Sequence, residues 1–222
     1  RYHVGTSKHW PGATVFWQVD ISGRVRTGKV MLYNPENGRR IKEPHNYITW
    51  VHSLLKKENF NLRQCLFGEH LLTSDQQRPV ALVESEKSAL ISSFYLPQYL
   101  WIASGGKNGA FNRDAMSVLL FPDLGATDYW NSKMEMIRSL GIEVSLFDFM
   151  ERNATKEERD AGYDIADFLL REETKEAILN RLITLNPALK TLVETFDLQL
   201  VDVKKAPFSA TVQHAREGLF KR

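Results

Sequence analysis

Cysteine is nearly missing from this chain, which has 222 residues and a single thiol, Cys65. One thiol cannot close a disulfide or build a cysteine-rich zinc site, so a disulfide scaffold and a zinc ribbon are both excluded for this stretch. That usage suits a reducing cytosol. Long apolar runs are also missing. None approaches the roughly 18 residues that a membrane span needs, and no signal peptide is visible, so a soluble cytoplasmic protein with no membrane partner is expected. No initiator methionine stands before Arg1, so the chain reads as a fragment or a processed form. Gly105-Gly106-Lys107-Asn108-Gly109 lacks Walker A spacing, which leaves Lys107 as a candidate phosphate contact without a P-loop around it. Four of the six histidines, His3, His9, His45 and His52, lie near the start, but without cysteines or a His-x-x-x-His pair they do not read as a zinc site.

Hydrophobic residues make up 43% of the chain, enough for one or two domains with a real core. The net charge of +2 hides an asymmetry. Residues 1 to 63 carry eleven Lys/Arg and four Asp/Glu, whereas the remainder carries eighteen basic and twenty-three acidic side chains. A basic first third on an acidic body suggests polyanion binding by the former and metal or polar chemistry in the latter.

The first third reads as β-rich. Ala13 to Val19 is a run of Thr, Val, Phe and Trp that ends in the turn residues Asp20-Ile21-Ser22-Gly23. Arg24 to Tyr33 alternates basic and apolar residues, which predicts a strand with one buried and one charged face. Tyr47 to Phe60 carries Trp50, Val51, Leu54 and Leu55 and predicts a helix ending at Lys56-Lys57. Trp17, Tyr33, Tyr47 and Trp50 stand among basic residues, where aromatics serve either as core or as platforms for exposed bases.

Past Leu62, short apolar runs alternate with helical segments. Val80–Val83, Leu100–Ala103, Val118–Phe121 and Ile142–Ser145 are the strands, and three are nearly continuous apolar runs, as a parallel sheet covered on both faces requires. Ser85 to Phe94 and Tyr129 to Leu140 are the helices between them, so strand and crossover repeat as in an α/β domain. Thr155-Lys156-Glu157-Glu158 has the form of a capping box and opens a short polar helix that stops at Gly162. Residues 171 to 196 read as two helices separated near Asn186-Pro187.

Two of the strands run into carboxylates, Glu84 and Asp123, and ligand crevices of open parallel sheets lie at such strand ends. Neighbouring strands stand roughly 4.8 Å apart, so two such acids could share one hard cation. Asp164 and Asp167 follow in Tyr163-Asp164-Ile165-Ala166-Asp167. Magnesium-assisted phosphoryl transfer uses acidic clusters of this kind.

RPVALVESEKSAL (residues 78–90) resembles the opening motif of Toprim domains, a hydrophobic strand that delivers a glutamate into a helix. WIASGGKNGA (101–110) is similar to the second strand and glycine turn of bacterial replicative primases. VLLFPDLGATDYW (118–130) resembles the strand carrying the Asp-x-Asp motif, and 163–169 sits where the late Asp-rich motif falls. Val15 to Gly28 resembles the primase hairpin, and Cys65 to His70 stands where primases have a Leu-Phe/Tyr-Gly element. The likeness covers roughly residues 13 to 170 in order, and extends to primase-like proteins of bacterial mobile genetic elements, which often carry a zinc module ahead of this region.

The resemblance implies a Toprim-type α/β fold: a parallel sheet flanked by helices (71–170), preceded by a small basic β-rich subdomain (1–70) and followed by a helical segment (171–222). In such a sheet the Glu84 strand lies between those of Ile102 and Leu120, with the fourth strand outside the latter. The resemblance also implies catalytic Glu84 and Asp123, with Mg²⁺ or Mn²⁺ weakly bound by Glu84, Asp123, Asp164 and Asp167. Single-stranded DNA would lie along Arg24, Arg26, Lys29, Arg39, Arg40 and Lys107, with nucleotides and replication or mobilisation proteins as further partners. The pattern departs at Gly125, where the second acid of Asp-x-Asp belongs, and Glu86 and Asp128 are the nearest substitutes. Three readings follow: a primase-like nucleotidyltransferase, a non-catalytic nucleic-acid-binding module favoured by Gly125, and a Toprim-type nuclease.

Overall fold

The computed structural model describes residues 1–56, 58–75, 77–105, 117–170, 179–180, 182–184 and 186–198. The chain divides into two compact units, Arg1–Ala166 and Asp167–Arg222, and both sheets belong to the first.

The N-terminal sheet is an antiparallel meander, β1 (Val4–Ser7), β2 (Ala13–Val19), β3 (Val25–Met31) and β4 (Ile48–Trp50), in sequential order. The Asp20 turn joins β2 to β3, its Oδ1 accepting from the backbone N–H groups of Ser22 and Arg24, each at 2.9 Å. One face of the sheet buries Ala13, Val15 and Val30 beneath Trp10, Trp17, Leu32, Val51 and Leu54, the last two from α1 (Val51–Leu55). Gly28 makes that packing possible: a Cβ there would come within 2.8 Å of the Val15 side chain and 3.0 Å of Trp17 and Val51.

Three local features differ from the sequence reading. β1 carries little apolar signal and exists through its pairing with β2. The helix expected from Tyr47 to Phe60 is reduced to α1, because Ile48-Thr49-Trp50 pairs with β3 (Lys29↔Trp50, Met31↔Ile48), and left-handed Lys56 ends the helix. β3 also fails to alternate cleanly. A register shift at Gln18/Val19 leaves Val25 62% exposed and turns Arg26 toward Asp20.

The second sheet contains β5 (Val80–Val83), β6 (Leu100–Ala103), β7 (Ser117–Leu120) and β8 (Glu143–Leu146), all parallel, in the order β6-β5-β7-β8. This is the order expected of a Toprim sheet. Between β5 and β6 runs α3 (Glu86–Tyr95), and between β7 and β8 runs α4 (Thr127–Ser139). Leu82, Leu100, Ile102, Val118 and Leu120 enter a core closed by Trp130 and Ile137 of α4. Tyr99, Trp101, Phe121 and Phe147 form a separate chain of ring contacts. All eight residues of β5 and β6 are buried, which is why their sequences show no alternation.

The segment Cys65–His70 ties the sheets together. Phe67 exchanges backbone hydrogen bonds with Ala103 at the end of β6, at 2.9 and 3.0 Å. Buried Glu69 accepts from the Leu66 N–H (3.1 Å) and from the Ile21 N–H of the β2–β3 turn (3.2 Å). Gly68 adopts φ +85°, and a Cβ there would meet the Trp101 carbonyl at 3.2 Å.

Beyond α2 (Leu71–Ser74), the first unit ends with α5 (Phe149–Asn153), α6 (Lys156–Ala161) and the start of α7 (Ile165–Leu170). α6 has the expected capping box between Thr155 and Glu158 and stops at left-handed Gly162. In the second unit, α8 (Ala188–Phe196) starts directly after Pro187. No described helix is long and apolar enough to cross a membrane.

Candidate functional site

β5 and β7 are parallel neighbours in register at Leu82↔Leu120, and the Phe121 N–H donates to the Leu82 carbonyl at 2.9 Å. Glu84 and Asp123 therefore leave adjacent strands at the same C-terminal edge, where open parallel sheets place their ligands. Glu84 is buried, and its Oε1 accepts from the indole N–H of Trp130 at 2.9 Å. The sequence does not mark Trp130 as a site residue. Its place on the inward face of α4 was the available signal, but which carboxylate it would meet is set by the sheet order.

The Leu124 N–H donates to the Tyr163 carbonyl at 2.9 Å, which brings the Tyr163-Asp164 segment beside the Asp123 loop. Asp164 Oδ2 accepts from the buried Ser88 hydroxyl at 2.5 Å, and Ser88 also contacts Ser85, the N-cap of α3. Asp164 is thus tied to α3. Asp167 belongs to the second unit.

Gly125 occupies the position of the missing acid, with φ +80°. Its N–H donates to Glu151 Oε2 at 3.2 Å, and the Thr127 hydroxyl donates to the same oxygen at 3.2 Å. Burial resists ionisation of Glu151, yet the Gly125 amide, the Thr127 hydroxyl and Arg159 outweigh it and lower its pKa. The turn has its own use for a glycine: space is open where a Cβ would stand, but the left-handed backbone disfavours side chains. Asp128 lies in the first turn of α4.

Among the described residues no three His, Cys, Asp or Glu side chains form a group able to hold a metal ion. One oxygen of Glu84 is occupied by Trp130, one of Asp164 by Ser88, and position 125 offers no ligand. The described residues bring together fewer carboxylates than a two-ion phosphoryl-transfer centre uses.

The basic candidates fall into two groups. Arg24 and Arg26 both donate to Asp20 Oδ2, at 3.1 and 2.7 Å. Burial of the Asp20 carboxyl would raise its pKa, but the Arg24 amide and the two guanidinium groups hold it at about 2. Lys29 is also engaged: its Nζ donates to Glu86 Oε2 at 3.2 Å and to the Gly105 carbonyl at 3.0 Å. Arg26 and Lys29 are therefore not on a freely exposed strand face, in contrast to the alternation read from the sequence. Glu86, considered above as a substitute metal ligand, is instead the buried partner of Lys29.

Arg39 and Arg40 are exposed on the long β3–β4 connection. That connection is pinned to α3, because Lys87 Nζ donates to the Gly38 carbonyl at 3.3 Å. At its root the Tyr33 hydroxyl has a pKa raised by burial and by Glu86 and Asp164, and lowered in part by Arg40. Tyr33 thus feels both Arg40 and the acidic side chains of Glu86 and Asp164. Lys107 lies outside the described residues.

Three solved structures show what the chain is similar to in fold. The Aquifex aeolicus primase (zinc binding and RNA polymerase domains) shares 14% identity over 81% of this chain and 45% of its own, with a TM-score of 0.45. A DNA primase domain from Pseudomonas aeruginosa shares 12% over 83% and 62%, also at 0.45. The E. coli primase catalytic core shares 15% over 85% and 68%, at 0.42. The chain thus spans about half to two thirds of the length of these primase structures. No curated protein matches it. One family model, described as "Domain of unknown function (DUF6371)", matches residues 1–124, more than half of the sequence, and the chain belongs to that family.

Proposed function

We propose that this chain is a primase-like Toprim module that binds single-stranded DNA without carrying out phosphoryl transfer. The observation that carries this reading is the pairing of two features at one edge of the parallel sheet. The Arg39–Arg40 connection is anchored over α3 by Lys87, whereas the acids that would form a two-ion centre are separately engaged by Trp130 and Ser88. Cationic side chains on a fixed loop attract a phosphate backbone and release its counterions. The carboxylates at the strand ends then shape the crevice electrostatically, and Glu84 and Asp123 together hold at most one magnesium ion, with water completing its shell.

Fluorescence anisotropy with a labelled single-stranded oligonucleotide at several salt concentrations tests the reading. Binding that weakens steeply with salt, and equally well with and without Mg²⁺, is the expected result. Primer synthesis or nuclease activity in Mg²⁺ or Mn²⁺ that disappears in Glu84→Gln would replace it with the catalytic reading.

A further inference from the structure

The N-terminal sheet carries a line of rings that its core does not use up. His9 and Trp10 have centroids 4.6 Å apart, Trp10 meets Tyr47 edge-on at 5.3 Å, and Tyr47 stacks on His45 at 4.2 Å with 29° between planes. Trp10 packs against the Ala13–Val15–Val30 core, which holds the centre of the line in place. The backbone is fixed as well: the Ala13 N–H donates to the Trp10 carbonyl at 3.0 Å, and the Leu32 N–H donates to the Tyr47 carbonyl at 3.1 Å. The outer rings, His9 and His45, are exposed.

Exposed cations accompany the line in sequence. Lys8 adjoins His9, and Arg39, Arg40 and Lys42 belong to the β3–β4 connection that also carries His45. None of the four forms an ion pair among the described residues. Glu36 and Glu43 are the exposed acids of the same stretch, so positive charge prevails. A purely structural role accounts for Trp10 and Tyr47, whose rings are half-buried. It does not account for two exposed imidazoles held against those rings at the ends of the line, His45 stacked on Tyr47 and His9 tilted against Trp10, with exposed cations beside them in sequence.

We propose that His9, Trp10, Tyr47 and His45 form a stacking platform for unpaired bases of a single-stranded nucleic acid, with Lys8, Arg39, Arg40 and Lys42 contacting its phosphates. Every base has a π-face, so such a platform binds strands with little sequence preference and distinguishes strands that carry bases from those that do not. This deepens the single-strand-binding reading above and rests on it.

The test compares two labelled strands of equal length, oligo-dT and an abasic sugar–phosphate chain, on the whole protein at low salt. The wild type binds oligo-dT at least about tenfold more tightly, the scale of one stacked base. His9→Ala/His45→Ala lowers oligo-dT affinity toward that of the abasic strand and leaves abasic affinity unchanged. His45→Phe, which keeps a ring, retains the preference. Both histidines are exposed, so an unchanged thermal midpoint is expected and serves as the folding control. Equal binding of the two strands by the wild type, or an undiminished preference in the double alanine variant, overturns the platform while the binding reading stands. Failure of both strands to bind overturns that reading and the platform together.

Discussion

Replacing Lys29 with methionine tests the account of the basic strand most directly. The Lys29 and Glu86 side chains are 12% and 2% exposed, and their ion pair spans 3.2 Å between the N-terminal sheet and the start of α3. Among the described residues Glu86 Oε1 is buried without a hydrogen-bond partner and Lys29 is the partner of the carboxylate, at Oε2. Lys29→Met keeps the apolar stem and strands a buried negative charge, a class of change that costs about 3–5 kcal/mol. In a unit of this size each kcal/mol moves the melting temperature by about 2–4 °C, so a fall of roughly 6–20 °C is expected. Glu86→Gln costs less, because Lys29 keeps the Gly105 carbonyl and some access to water. Lys29→Met with Glu86→Leu recovers most of the loss, since a well-packed apolar pair replaces a buried ion pair at little cost. Differential scanning calorimetry on wild type, Lys29→Met, Glu86→Leu and the double variant supplies the cycle. A Lys29→Met midpoint within about 1 °C of wild type would refute the buried pair and return Lys29 to the surface available for phosphate.

Three further outcomes follow from the site. Arg39→Ala/Arg40→Ala weakens single-strand binding and reduces the salt slope by about two phosphate contacts at unchanged stability, as anisotropy and thermal melts will show, whereas Arg24→Ala/Arg26→Ala lowers stability by removing both ion pairs of Asp20. Asp20 has a folded pKa of about 2, below that of an unfolded chain, so its contribution is complete above about pH 4 and disappears as pH falls toward 2. Urea midpoints of wild type and Asp20→Asn should accordingly differ at pH 7 and converge near pH 2, and a gap that stays constant would disprove the assignment. Calorimetric titration with Mg²⁺ should give one weak event that Glu84→Gln abolishes. Gly125→Asp strengthens it only at a cost in stability, because φ is +80° there, and equal heats from wild type and Glu84→Gln would remove the metal from the site.

Features whose physics is local were legible in the residues alone. Continuous apolar runs marked β5 to β7 because a strand covered on both faces has no polar side to display. The turn after β2 followed from Asp20 and Gly23, and the extent of α6 from Thr155, Glu158 and Gly162, since each motif satisfies backbone groups within a few residues. The order β6-β5-β7-β8 was also legible, through the colinear resemblance to Toprim domains. Pairings across long sequence separations were decided by the tertiary structure alone. Nothing near Glu84 shows that Trp130 occupies its carboxylate, nor does anything near Lys29 show that Glu86 lies opposite it. The same holds for Ile48–Trp50, a helix in its local pattern and a strand because β3 offered an edge. Alternation made Arg26 and Lys29 look solvated, but alternation records only which side of a strand a residue takes. What stands on that side, water or a buried carboxylate, is set by the sheet packed against it.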